Sequence, residues 1–233
     1  MIFWAGKSSD DVNVVVEHYP VQIRPGKKLE IQSIPGRNGD LVFSERAYSN
    51  YIQPYDIYIS AEQPRLPAVT RRVAEWLYSP EGYQRLEDCY EPDVFRMAYY
   101  SGPAEIENIL NRFGRATLQF SCKPQRFLKS GEQPVTVKSG TVLHNSTAFV
   151  ALPLIHITGS GAGRLQVGEY VVVIKSLSGS ITLDCELQDA YNGTVNLNNT
   201  ISAPEFPVLV GGDNEISFTG DWNVEITPRW WTL

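Results

Sequence analysis

Apolar and polar residues alternate along most of this chain, most regularly in its C-terminal part. In SITLDCELQ, Ile181, Leu183, Cys185 and Leu187 fall on one face, and Thr182, Asp184, Glu186 and Gln188 on the other. This period of two predicts a half-buried strand and places Cys185 in the core as a small hydrophobe. RLQVGEYVVVI reads as a hairpin turning through Gly168-Glu169, a two-residue loop suited to a type II′ turn. NEISF alternates Ile216 and Phe218, and NVEITPRWWTL alternates Val224 and Ile226 with Pro228 close behind. A proline cannot donate to a ladder, so the last segment is expected at a sheet edge or a bulge. Short strands separated by turns predict a β-sandwich or jelly roll of about 100 residues.

The first part is also mainly β. VNVVVEHY, KLEIQSI, YDIYIS and RATLQFSC all alternate, and in the last of these Ala116, Leu118, Phe120 and Cys122 share a face. One segment changes period. In AVTRRVAEWLYS, residues 68–79, the stripe Val69, Val73, Trp76, Leu77 predicts an amphipathic helix, with Pro67 at its first turn and Pro80 beyond its end. YQRLEDCYEPDVFRMAYY then reads as two strands joined by a type I turn at Glu91-Pro92-Asp93, a ribbon that would reach roughly 25 Å. IPGRNGDL, residues 34–41, holds two turn signals between apolar runs: Pro35-Gly36 suits a type II turn and Asn38-Gly39 a type I′ turn. It is longer than a minimal hairpin tip, and it carries Arg37 and Asp40 between strands.

Charge divides the chain. Residues 1–130 hold 16 basic and 16 acidic residues, whereas residues 131–233 hold 4 and 10, which is the whole net charge of −6. Aromatics divide as 18 and 8, and ten of the twelve tyrosines lie in the first part. Such tyrosines suit either half-buried sheet faces or contact surfaces. The shift falls at the polar stretch Lys129–Pro134 and predicts two domains, 1–130 and 131–233. An acidic second domain argues against a nucleic-acid partner, since phosphate binding needs a basic face. There is no apolar run long enough to span a membrane, and MIFWAGKSSDD lacks the regions of a signal peptide. Cys89, Cys122 and Cys185 are few, odd in number and widely spaced, and are expected as free thiols of a reducing compartment.

No catalytic constellation emerges, and the chain is expected not to be an enzyme and to need no cofactor or metal. His18, His144 and His156 each stand alone on strand-like stretches without metal-ligand spacing. GSGAG at 159–163 matches neither a dinucleotide fingerprint nor a P-loop, and reads as a loop. Adjacent carboxylates such as Asp10-Asp11 and Glu87-Asp88 point to opposite faces of a strand. Trp222 and Trp231 are candidates for a sugar-stacking platform, giving a host-surface carbohydrate-binding module as the alternative reading.

Taken in order, several segments resemble the distal tail (Dit) proteins of long non-contractile-tailed bacteriophages. They are IPGRNGDL, YDIYIS, EWLYSPEGYQRLEDCYEPDVFRMAYYSG and RFGRATLQFSCKPQRFL in the first part. In the second they are LPLIHITGSGAG, ITLDCELQDAYNG, NLNNTISAPEFPVL and VEITPRWWTL. The resemblance spans nearly the whole chain. It implies a mainly β protein of two β-sandwich-like domains: an N-terminal belt domain with one helix and a long hairpin, and a C-terminal galectin-like sandwich. It further implies a hexameric ring in the virion tail tip, assembled in the host bacterial cytoplasm. The ring would join the tail-tube protein to the tail-associated tip protein, with the tape-measure protein as a further candidate partner.

A closed ring needs a heterologous interface, with two different patches on each copy. The loop at 34–41 and the ribbon at 83–100 are the protruding features expected of the first domain. Arg37, Asn38 and Asp40 on the loop, and Arg85, Glu87, Asp88 and Arg96 on the ribbon, are therefore the candidate subunit-interface residues.

Overall fold

A computed structural model describes residues 1–60, 66–103, 106–109 and 113–233. Arg112, with which one of the quoted segments begins, lies outside them. The chain packs as two units, Met1–Arg126 and Phe127–Thr232. The sequence reading sets the division at 130/131. Both units are sandwich-like β domains, and the one α-helix is in the first.

In the first unit the strands are β1 (Ile2–Trp4), β2 (Lys7–Ser8), β3 (Val14–Val16), β4 (Lys27–Gln32), β5 (Leu41–Tyr48), β6 (Tyr51–Ser60), β7 (Gln84–Asp88), β8 (Val94–Tyr100), β9 (Glu107–Ile109) and β10 (Phe113–Leu128). The last two residues of β10 already belong to the second unit. One sheet runs in the order β2-β1-β7-β8-β10-β6-β3, with β9 also on β10. The helix α1 spans Leu66–Tyr78 and buries Leu66, Val69, Val73, Trp76 and Leu77, the stripe that its period requires. These meet Ile2, Trp4, Ile57, Ile59, Leu86 and Leu118 in one core. Phe120 lies at its centre, with ring centroids 4.9 Å from Trp4, 6.0 Å from Tyr55 and 5.4 Å from Tyr100. The tyrosines divide by position: Tyr51 and Tyr55 are buried in the core, while Tyr83 and Tyr99 are exposed and pack on each other with ring centroids 5.3 Å apart.

The second unit contains β11 (Val135–Val137), β12 (Thr141–Asn145), β13 (Leu154–Val167), β14 (Tyr170–Asp184), β15 (Asp189–Asn192), β16 (Val195–Asn196), β17 (Ile201–Ser202), β18 (Gly212–Thr227) and β19 (Trp231–Thr232). Its sheet follows β11-β18-β13-β14-β15-β16, with β12 on β18 and β17 on β14. Val167 pairs with Tyr170 across Gly168-Glu169, and Gly168 has φ +54 while Glu169 stays negative, as a type II′ turn requires.

Three expectations are corrected here. β18 is not an edge strand: β11 and β12 pair on one side and β13 on the other, and Pro228 lies just past its end. GSGAG is not a loop but part of β13, with a register shift between Gly161 and Gly163. Gly159 and Gly163 are needed because Trp222 packs over them. A Cβ on Gly159 would lie 2.9 Å from the indole, and one on Gly163 would run into both the indole and the Thr219 carbonyl. The strand through Cys185 stops at Asp184, so Cys185 is buried but Leu187 is 68% exposed. Asp184 Oδ1 accepts from the N–H groups of Glu186 and Leu187 and turns the chain there.

Candidate assembly surface

β4 and β5 form a two-stranded sheet of their own, the only one among the described residues. All six residues of β4 are exposed. Ile31 lies opposite Val42 and Leu29 opposite Ser44, so these four share a face, and its three apolar members are 60%, 54% and 44% exposed for Ile31, Val42 and Leu29. An isolated hairpin is marginal in water, and apolar residues aligned on one open face are the pattern of a surface made to be covered. The ladder carries a bulge near its base at Arg46, which has φ +55 and donates its N–H to Ser44 Oγ.

The loop joining the two strands carries Arg37, Asn38 and Asp40, all exposed at the hairpin's tip. Arg37 N–H donates to the Ile34 carbonyl at 3.1 Å and Gly36 has φ +79, the expected type II turn. Asn38 keeps a negative φ while Gly39 has φ +82, so the second turn is not type I′.

The ribbon of residues 83–100 is the main correction. β7 and β8 lie within the large sheet, and the hairpin that stands apart from it as a separate, exposed sheet is β4–β5. Arg85 and Glu87 form an ion pair on a partly exposed face, with the Arg85 guanidinium 3.8 Å above the Phe95 ring. Asp88 and Arg96 are inside the fold, their side chains 1% and 2% exposed, and are not available to a neighbouring copy. β7 and β8 close around them. Arg96 Nη1 meets Asp88 Oδ2 at 3.0 Å, and Nη2 pairs with Glu91. Glu91 takes Arg126 Nη1 on both oxygens, at 2.7 and 2.8 Å. Tyr55 donates to Asp88 Oδ2 at 2.8 Å, and the N–H groups of Tyr90 and Glu91 reach Asp88 Oδ1 at 2.9 Å. Two guanidiniums thus balance two carboxylates. Burial alone would lower the Arg96 pKa, but the surrounding Tyr55, Asp88, Tyr51 and Glu91 outweigh it and raise it. Burial pushes the nearby Cys122 thiol up to about 12.

Glu91 and Arg126 were missed as members of this cluster; Glu91, in the turn between β7 and β8, leaves no periodic signal, whereas for Arg126 the signal is phase. Asp88 is in phase with buried Leu86, and Arg96 with buried Ala98. Arg126 continues the face of Leu118, Phe120 and Cys122. A charge in step with a buried strand face requires a partner.

The sugar platform is also corrected. Trp222 is in the core of the second unit, 8% exposed. Trp231 stacks on Phe149 at 4.5 Å and donates its indole N–H to the Val150 carbonyl, so the two indoles present no joint face. The histidines each meet one partner: His18 with Asp56, His144 with Asp213, and His156 with Thr182. Among the described residues no group of three or more His, Cys, Asp or Glu could hold a metal ion. No described helix is long and apolar enough to cross a membrane.

Residues 14–122, from β3 into β10 of the first unit, match the family model of the phage tail protein RIFT-related domain. The chain as a whole has the fold of a distal tail protein. It matches the crystal structure of the SPP1 Dit protein, described as a paradigm of the hub adsorption apparatus in phages infecting Gram-positive hosts, with a TM-score of 0.79 at 14% identity over 100% of this chain and 98% of that one. A chain of the phage p2 baseplate in its activated conformation with Ca gives a TM-score of 0.51 at 9% identity, over 92% of this chain and 90% of that one. The p2 baseplate activated with Sr gives the same values. A search of curated protein sequences gives no match.

Proposed function

We propose that this chain is a non-enzymatic structural hub at the distal end of a long non-contractile phage tail. Copies assemble into a hexameric ring through their first units, and the ring joins the tail-tube protein to the tail-associated tip protein for host adsorption. The tape-measure protein is a further partner in this reading. The second unit is a galectin-like sandwich on the outside of the ring, and assembly precedes lysis, in the host cytoplasm. The observation that carries the reading is the whole-length likeness to a Dit hub, supported by the phage-tail domain at 14–122.

In this reading the β4–β5 hairpin is one half of the heterologous contact. Its apolar face is exposed among the described residues, and its tip offers both signs of charge through Arg37 and Asp40. Arg85 and Glu87 remain candidates for the receiving side. Native mass spectrometry of the purified chain is the test. Six-copy species, and their capture of the tube and tip proteins of the same phage, are expected. A chain that stays monomeric alone and with both partners would overturn the ring.

A further inference from the structure

We infer that the buried Asp88–Arg96–Glu91–Arg126 cluster is a positioning device for the β4–β5 hairpin, acting through the hydrogen bond from Arg126 Nη2 to the Ile23 carbonyl. The inference rests on the reading of that hairpin as the contact element.

The segment between β3 and β4 has no ladder of its own. It runs over the surface, exposed or half-exposed throughout, so water can meet most of its carbonyls. Two of them are taken by buried side chains of the main sheet. Gln53 Nε2, on β6, donates to the Val21 carbonyl at 2.9 Å, and Arg126 Nη2, on β10, donates to that of Ile23 at 2.9 Å. Tyr19 packs on Tyr90 at 4.5 Å. Three residues beyond Ile23, the Gly26 carbonyl accepts the Ser49 N–H at 2.9 Å and closes the root of the hairpin. From there outward every residue of β4 is exposed. The direction of the hairpin is therefore set at its root, and of the two buried side chains that hold this segment Arg126 binds nearer to that root, at Ile23 rather than Val21.

Arg126 can reach one backbone oxygen only because its other arm is fixed on Glu91. Glu91 is in turn fixed by Arg96, and Arg96 by Asp88, which Tyr55 and two backbone N–H groups hold in place. The planar guanidinium suits this bridging, since its donors fork toward two acceptors at once. Asp88, Arg96 and Arg126 are buried and Glu91 is partly exposed; charges are costly to bury, and apolar residues of like volume often serve stability as well. A rigid chain of bonds that ends on the hairpin's root gives them a purpose that stability alone does not.

The test is hydrogen exchange on the full-length chain with Arg126→Gln and Glu91→Gln, compared with the parent in the same oligomeric state as fixed by native mass spectra. Loss of a charge-assisted hydrogen bond should speed exchange of the Ser49 amide and the β4–β5 ladder roughly tenfold or more. Amides of α1 and of the β6–β10 ladder should exchange as in the parent. An Arg126→Gln chain that keeps its protection in α1 and shows unchanged exchange at the root would overturn the inference. Should Arg126→Gln lose protection throughout, Arg126→Lys decides by the same reading, since it keeps the charge but loses the fork. Faster exchange at the root alone supports the inference, and unchanged exchange there overturns it. A parent that never forms a ring would remove the hub reading and leave this comparison intact.

Discussion

Arg229 holds Asp184 with both arms of its guanidinium, Nη1 to Oδ1 at 2.8 Å and Nη2 to Oδ2 at 3.2 Å. Arg229 does so from a left-handed backbone conformation, φ +58, with its N–H on the Gly131 carbonyl. Arg229 thus ties the last residues of the second unit to its first turn through its backbone N–H and to the end of β14 through its ion pair.

This pair makes the second unit acid-sensitive. Burial alone would raise the Asp184 pKa, but Arg229 and the N–H groups of Leu187 and Glu186 outweigh it, and the net shift is downward. A carboxyl whose folded pKa is depressed contributes stability above its unfolded pKa, near 3.9, and loses it as pH falls through the folded value. Thermal unfolding followed from pH 7 down to pH 3 should show a second-unit transition that falls below about pH 4. Asp184→Asn should cost about 2–4 kcal/mol at pH 7 and flatten that dependence, because Arg229 is left without its partner. An unchanged acid slope in the variant would show that another group is responsible.

The thiols should separate into one that reacts and two that do not. Cys89 is exposed, whereas Cys122 and Cys185 are buried, and burial pushes both thiols up to about 12. At pH 8 almost none of either is thiolate, the reactive form. Titration with a thiol reagent should give one equivalent on the native chain and three after denaturation. A second fast thiol would contradict the placement of Cys122 or Cys185.

Gly163 should tolerate no side chain. Its Cβ would meet the Thr219 carbonyl and the rim of the Trp222 indole together. Gly163→Ala should destabilise the second unit by about 1–3 kcal/mol, as overpacking does. Trp222→Ala should cost about 3–5 kcal/mol through the cavity it leaves. Denaturant unfolding measures both. A neutral Gly163→Ala would mean that the bulge can reseat.

Substitutions on the hairpin should leave the fold intact and act on assembly. Replacing Arg37 and Asp40 together by alanine should change unfolding by no more than about 0.5 kcal/mol, since both are exposed. It should shift native mass spectra from hexamer toward monomer. Ile31→Asp should do so more strongly, because a charge would enter the apolar face. A double variant as resistant to dilution as the parent would withdraw the loop from the contact.

Where local pattern decides structure, the sequence was legible. The stripe Val69, Val73, Trp76, Leu77 is α1, and Gly168-Glu169 is the turn between β13 and β14. What escaped depends on partners distant along the chain. GSGAG looks like a loop until Trp222, some sixty residues on, is seen to need Gly159 and Gly163 as floor. Arg96 and Asp88 look like surface charges because Arg126, which completes their cluster, comes from another strand. The exposed hairpin was hidden for a related reason: KLEIQSI alternates like any half-buried strand, and nothing local says that its apolar face lacks a cover.

That uncovered face has a consequence for the chain before it meets its neighbours. A free hairpin with two open strand edges is a template for indiscriminate pairing. Here Lys27, Lys28, Glu30, Glu45 and Arg46 are interleaved with the apolar positions, and such charges act as gatekeepers against aggregation. The two demands pull against each other. Each added apolar residue would tighten the final contact and make the newly made chain less soluble, and each added charge would do the reverse. In the proposed ring, the hairpin's composition would therefore set a concentration window, above which copies would find one another and below which they would stay apart without precipitating.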